Sequence, residues 1–158
     1  MGVRSGISAT ETVGDSDRAI AWLLPALSES PTVSVADIPD LTPILAVTAA
    51  CQQGAVFTDI QRLRLKESDR VEAILHLIRS LGGRAEATDS RLTVFGGGLQ
   101  GGTVDACNDH RIAMSAAIAA TACSSPVTIL GAQCVRKSYP DFWREYSRLG
   151  GNYEQYIR

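Results

Sequence analysis

An internal duplication is the feature that most constrains what this chain can fold into. The segment from Ile38 to Gly83, "IPDLTPILAVTAACQQGAVFTDIQRLRLKESDRVEAILHLIRSLGG", recurs roughly 70 residues later from Cys107 to Gly151 as "CNDHRIAMSAAIAATACSSPVTILGAQCVRKSYPDFWREYSRLGG". Asp40 falls opposite Asp109, and Ala46 to Ala50 opposite Ala116 to Ala120. Val56-Phe57-Thr58 matches Val127-Thr128-Ile129, Lys66 matches Lys137, and Leu81-Gly82-Gly83 matches Leu149-Gly150-Gly151. Anchors in this order announce a repeated supersecondary unit. Each copy reads strand, helix, strand, helix, strand, with the last strand visible only in the first. Strands alternating with helices of 10 to 15 residues predict an α/β fold with parallel crossovers and mixed sheets.

Val71, Ile74, Leu75, Ile78 and Leu81 lie at helical spacing, with Ser68 as the expected N-cap and Gly82-Gly83 as the stop. Arg84 to Thr88 and Arg91 to Phe95 read as a hairpin turning at Asp89-Ser90. The glycine run from Gly96 to Gly102 reads as a flexible connection between the two copies, about 31–96 and 102–158. The helix near Ile112 to Cys123 is apolar nearly all round and rich in alanine, which predicts a central, closely packed position. Residues 1–30 fit the repeat poorly. Asp15 to Leu27 is read as a helix disturbed by Pro25, the remnant of an earlier unit.

The 158 residues suit one domain able to bury roughly 70% of its unfolded surface. Fifteen basic against 17 acidic residues leave a formal charge of -2, which argues against bulk binding to nucleic acid or an anionic membrane. The most apolar runs, Leu41 to Cys51 and Ile112 to Cys123, fall short of a membrane span, and the Met1 region has no signal-peptide core. Cys51, Cys107, Cys123 and Cys134 form no C-x-x-C pair, and His76 and His110 are the only histidines, so zinc-site spacings are absent. Reduced thiols and a cytoplasmic location are expected.

Charge is placed against the grain of the helix dipole. Lys66-Glu67-Ser68-Asp69-Arg70 loads one helix start with two cations, and Asp109-His110-Arg111 puts a third in the first turn of another. Each placement costs a few tenths to about 1 kcal/mol unless compensated. A bound anion compensates, because helix N-termini offer free N–H groups and arginine adds a bidentate fork. Lys66, Arg70, Arg111 and Lys137 are therefore read as converging on a small, multiply anionic ligand. Taken singly, each reads as an ordinary surface ion-pair partner; it is their coincidence with two helix starts and the duplicated loop that favours a site.

The other candidates carry two readings. Asp40 is either an N-cap for the helix from Leu41 or a carboxylate at the edge of the cationic pocket. Glu67 complements a helix dipole or serves as an acid/base with a pKa tuned by its neighbours. His110 is an exposed first-turn residue or a donor to the ligand, whereas His76 is read as structural. The glycine run lacks the lysine and hydroxyl ending of a phosphate loop. Cys107 and Cys134, near the proposed pocket mouth, have no positioned base and are left out of the chemistry.

"RLRLKESDR", "NDHRIAM" and "VRKSYPDF", with "IPDLTPILAV" upstream, resemble the C-terminal part of EPSP synthase, an enolpyruvyl transferase, from about Val33 onward. The resemblance implies a domain of repeated βαβαββ units and an active site in a cleft between two domains. It implies transfer of enolpyruvyl from phosphoenolpyruvate to shikimate 3-phosphate with release of phosphate, and no metal or organic cofactor. By motif, Asp40 resembles the base for the attacking hydroxyl and Glu67 the acid/base at the phosphoenolpyruvate methylene. Lys66 would bridge the substrates; Arg70, Arg111 and Lys137 would hold carboxylate and phosphate, with His110 beside them.

The family's other domain, with its Lys-Ser and arginine contacts to shikimate 3-phosphate, has no counterpart in this sequence. The chain alone is therefore expected to turn over little or not at all, needing a complementing half. Two rivals stand beside this reading: a fragment of the sister enzyme that acts on a UDP-sugar, and a non-catalytic module that binds anions or self-associates through an uncovered face.

Overall fold

A parallel strand pair requires a crossover, and the sequence provides two apolar helices, 42–51 and 110–120, that serve as crossovers. The computed structural model describes residues 6–8 and 23–156. β1 (Gly6–Ser8), β2 (Thr32–Ser34) and β3 (Gly54–Thr58) run parallel; β5 (Arg91–Phe95) and β4 (Ala85–Ala87) continue the sheet antiparallel, giving the order β1-β2-β3-β5-β4. A second sheet pairs β6 (Gly102–Asp105) with β7 (Val127–Leu130) in parallel. Sheet and helix thus alternate in a mixed α/β architecture.

α1 (Thr42–Cys51) crosses from β2 to β3, and α3 (His110–Ala120) crosses from β6 to β7. The two helices pack together, and their alanines, among them Ala46, Ala49, Ala116 and Ala119 in one core cluster, let the backbones approach. α2 (Arg70–Ser80) buries Val71, Ile74, Leu75 and Ile78 as one stripe, and α4 (Phe142–Arg148) follows the second 3-10 turn. From β2 the order is strand, helix, strand, 3-10 turn (Ile60–Leu65), helix and two strands. From β6 it is strand, helix, strand, 3-10 turn (Ala132–Lys137) and helix.

Both Leu-Gly-Gly anchors end a helix in the same way. Gly82 (φ 86°) and Gly150 (φ 99°) take the left-handed conformation that an L side chain resists. Gly83 N donates to Ile78 O and Gly82 N to Arg79 O; Gly151 N donates to Tyr146 O and Gly150 N to Ser147 O, at 2.9 to 3.0 Å throughout. The 84–95 hairpin closes through Thr88 N donating to Arg91 O at 2.8 Å.

Four local expectations need correction. The cap of α2 is Asp69, which accepts from Val71 N and Glu72 N, because one residue earlier Ser68 is turned away toward Asp109. Asp40 caps nothing: α1 begins at Thr42 after Leu41, and Asp40 is drawn off by cations. α3 is closely packed as expected, burying Ile112, Ala113, Ala116, Ala117 and Ala119, but it stops at Ala120 and leaves Ile118 42% exposed, so it is not covered all round. The glycine link is tied down, with Gly98 N donating to Ala50 O and Gln100 N to Leu81 O, and with Leu99 buried. At Gly102 a Cβ would collide with the Ser80 carbonyl. Of the helix expected over Asp15 to Leu27, residues 15–22 lie outside the described residues; residues 23–26 are helical and lead into a 3-10 turn at Leu27–Glu29.

Candidate active site

The N-termini of α1, α2 and α3 and the end of the second 3-10 turn bring the charged motifs to one end of the molecule. At their centre is Arg70, the first residue of α2, whose side chain has no solvent exposure. An arginine buried this completely must have every nitrogen engaged. Its Nε donates to Asp109 Oδ2 at 2.9 Å and its Nη2 to Asp109 Oδ1 at 3.2 Å, a fork-to-fork pairing along one edge. Along the other edge Nη1 donates to Asp40 Oδ1 and Nη2 to Glu67 Oε2, both at 2.8 Å. Nη1 also lies 3.5 Å from the carbonyl of Pro39.

Asp40 and Asp109, opposite one another in the repeat, thus hold the same guanidinium. They differ in setting: the Asp109 side chain is fully buried, while Asp40 and Glu67 are 48% and 44% exposed. Lys66 Nζ stands 3.2 Å from the same Asp40 oxygen. Partial burial alone would raise the Asp40 carboxyl, but hydrogen bonds from Arg70 and Lys66 outweigh it and hold the group below the usual carboxylate range. Asp109 follows the same balance, with burial opposed by Arg70, Ser68 Oγ at 3.0 Å and the Arg111 N–H at 2.9 Å.

Asp109 also caps α3, so His110 and Arg111 follow directly from the buried pair. His110 is 9% exposed, and its Nδ1 and the Arg111 Nε are the buried side-chain polar atoms without a hydrogen-bond partner among the described residues. Native interiors rarely leave such atoms orphaned; the Arg111 Nε–H is a donor without an acceptor at a helix start, and the role of His110 Nδ1 is set by its tautomer. Just before Asp109, Cys107 (φ 51°) and Asn108 (φ 55°) are both left-handed, an uncommon conformation for residues with a Cβ. The bend presents Asn108 to Lys137, whose Nζ donates to Asn108 O at 3.2 Å and Oδ1 at 2.7 Å.

Asp40, Lys66, Glu67 and Arg70 therefore share one network with Asp109; Arg111 meets it through its backbone N–H on Asp109, His110 follows Asp109 in sequence without a bond to the network, and Lys137 is held by Asn108, the residue before Asp109. His76 is apart, beside Ser80 near the end of α2. The Cys107 thiol is pushed up by burial and by the Asp105 and Asp109 carboxylates, and burial likewise raises Cys134, which suits neither to be a nucleophile. A shallow cleft lined by Leu24, Pro25, Ser28, Gln52 and Gln53 sits past the opposite end of α1 from Asp40, about 15 Å along its axis.

Sequence reasoning left Asp109, Ser68 and Asn108 out of the site, reading Ser68 only as a helix cap. Asp109 had a legible signal, since the repeat aligned it with Asp40; its cap role is real and hid its second role as counter-ion. Nothing local in the sequence marks a site role for Ser68 or Asn108, whose partners lie 41 and 29 residues away.

A family model described as EPSP synthase (3-phosphoshikimate 1-carboxyvinyltransferase) matches residues 7–146. The chain belongs to the EPSP synthase family. A Clostridium acetobutylicum protein named 3-phosphoshikimate 1-carboxyvinyltransferase is 42% identical over 126 residues, covering 78% of this chain and 29% of that protein. A Natronomonas pharaonis protein of the same name is 43% identical over 119 residues, covering 75% of this chain and 27% of the relative. The solved EPSP synthase of Acinetobacter baumannii superposes with a TM-score of 0.69 at 28% identity, over 93% of this chain and 30% of that one. The chain thus spans about 30% of the length of these EPSP synthases.

Proposed function

We propose that the chain supplies the phosphoenolpyruvate-binding side of an EPSP-synthase active site, which transfers enolpyruvyl to shikimate 3-phosphate and releases phosphate. The observation that carries this reading is the pair of buried side-chain nitrogens without a partner among the described residues, Arg111 Nε and His110 Nδ1, directly after Asp109, which pairs with Arg70. Arg111, Lys137 and the Nη edge of Arg70 would receive carboxylate and phosphate, with His110 alongside and Lys66 between the two substrates. Asp40 would take the proton of the attacking hydroxyl and Glu67 would serve the methylene carbon. Cations fixed before the reaction stabilise charge developing on departing phosphate. No metal or organic cofactor enters this chemistry.

Two repeats, about 31–96 and 102–158, with residues 1–30 as a remnant of an earlier unit, would form one side of a cleft. Alignment of two substrates in a closed, dry site needs the other side, so the chain alone should show little or no turnover. The four free thiols suit a cytoplasmic setting. Among the described residues no helix is long and apolar enough to cross a membrane.

Titration calorimetry with phosphoenolpyruvate, with and without shikimate 3-phosphate, tests the reading. Saturable binding that is lost in Arg111→Ala supports it. No binding, together with concentration-dependent self-association through the exposed Ile118, Leu130 and Leu149, would instead favour the non-catalytic module. Turnover by the purified chain at the rate of an intact enzyme would refute the need for a second half.

A further inference from the structure

Arg70 has two hydrogen-bonding edges, and they meet different kinds of carboxylate. The Nε edge meets Asp109, which is buried, bidentate and itself held by Ser68 Oγ and the Arg111 N–H. The Nη edge meets Asp40 and Glu67, each through a single oxygen and each about half exposed. A planar fork clamped along one edge has no freedom to rotate, so the direction of the other edge is set by the clamp.

We infer that Asp109 is a positioning residue: it aims the Nη edge of Arg70 at Asp40 and Glu67, and so fixes the two carboxylates that the function above assigns to proton transfer. The inference rests on that reading only for the chemistry of Asp40 and Glu67. The geometry of aiming stands without it.

Several features favour this over a purely architectural ion pair. Asp109 spends both oxygens on Arg70 while Ser68 and the Arg111 N–H share them, so its carboxylate is located from three sides. Asp40 lies between two cations, Arg70 at 2.8 Å and Lys66 at 3.2 Å, with Glu67 on the neighbouring Nη2. Swinging Arg70 away would leave Asp40 with Lys66 alone and Glu67 with no ion-pair partner among the described residues. The same aiming leaves the Nη edge as the one an incoming ligand carboxylate can reach, by displacing Asp40 or Glu67.

The test is a carbon-detected NMR titration of the Asp40 and Glu67 carboxyls in the full 158-residue chain, without ligand, comparing wild type with Asp109→Asn and Asp109→Glu. Deleting the Asp109 charge without moving Arg70 removes a nearby like charge and lowers the Asp40 midpoint. Losing the aim breaks the Arg70 bond and raises that midpoint toward the ordinary aspartate value of about 3.9. The expected result is a rise in Asp109→Asn and also in Asp109→Glu, which keeps the charge but displaces it. A fall in the first with no change in the second would overturn the positioning role. Should neither variant fold, Ser68→Ala decides: it loosens Asp109 from one side, and both the Asp109 and Asp40 midpoints should rise, whereas an unmoved Asp40 would overturn the inference. Because no ligand is present, these outcomes are independent of whether the chain binds phosphoenolpyruvate.

Discussion

Arg70 and Asp109 form an ion pair in which neither side chain has any solvent exposure, joining the first turns of two helices across 39 residues of sequence. A buried pair of this kind is weak evidence of net stabilisation, since desolvation opposes the attraction, but removing one member strands a buried charge. Asp109→Ala should therefore destabilise the fold by about 3–5 kcal/mol at neutral pH, measured by urea unfolding.

The same pair sets an acid limit. Asp109 titrates below its ordinary value when folded, so its contribution is complete above the unfolded value of about 3.9 and is lost as pH falls through the folded midpoint. Asp40 adds in the same direction. The stability gap between wild type and Asp109→Asn should thus be constant from pH 5 to 7 and shrink below about pH 4. A gap that widens on acidification would contradict the assigned pairing.

Glu67→Gln removes the carboxylate that occupies Arg70 Nη2. Phosphoenolpyruvate should then bind more tightly, by about 1 kcal/mol or roughly fivefold, because a like charge has left the site. If Glu67 is the methylene acid/base, a reconstituted enzyme carrying the variant should nonetheless lose turnover. Calorimetry and a phosphate-release assay on the same preparation separate the two effects.

The stop after α4 gives a test of its packing. Gly150 has open space around the position of a Cβ, so Gly150→Ala should cost only the backbone penalty of about 1–2 kcal/mol. A Cβ on Gly151 would run into the Tyr146 ring, so Gly151→Ala should cost more, by thermal unfolding. Equal costs would mean that the second glycine is not packed as described.

The order of elements was legible because hydrophobic period and turn chemistry are local: the α2 stripe, the Asp89-Ser90 turn and the Leu-Gly-Gly stops all read directly. The cation motifs were legible as an anomaly against the helix dipole. What sequence could not show was where each charge is used. Ser68 and Asp69 are both good caps, and only the arrival of Asp109 from the start of α3 turns Ser68 away. Arg70 read as a free receptor for a ligand, and its burial under three carboxylates is a property of packing between α1, α2 and α3. The glycine run read as slack because its anchors, the Ala50 and Leu81 carbonyls, lie in other elements.

The most direct test of the whole account is to add phosphoenolpyruvate to the isotope-labelled chain and follow its backbone amide resonances. Saturable shifts should concentrate at Lys66 to Arg70, Asn108 to Arg111 and Lys137, and vanish in Arg111→Ala. Shifts confined to the cleft by Leu24 and Gln52, or scattered with no common saturation, would contradict a single anion site at the helix starts.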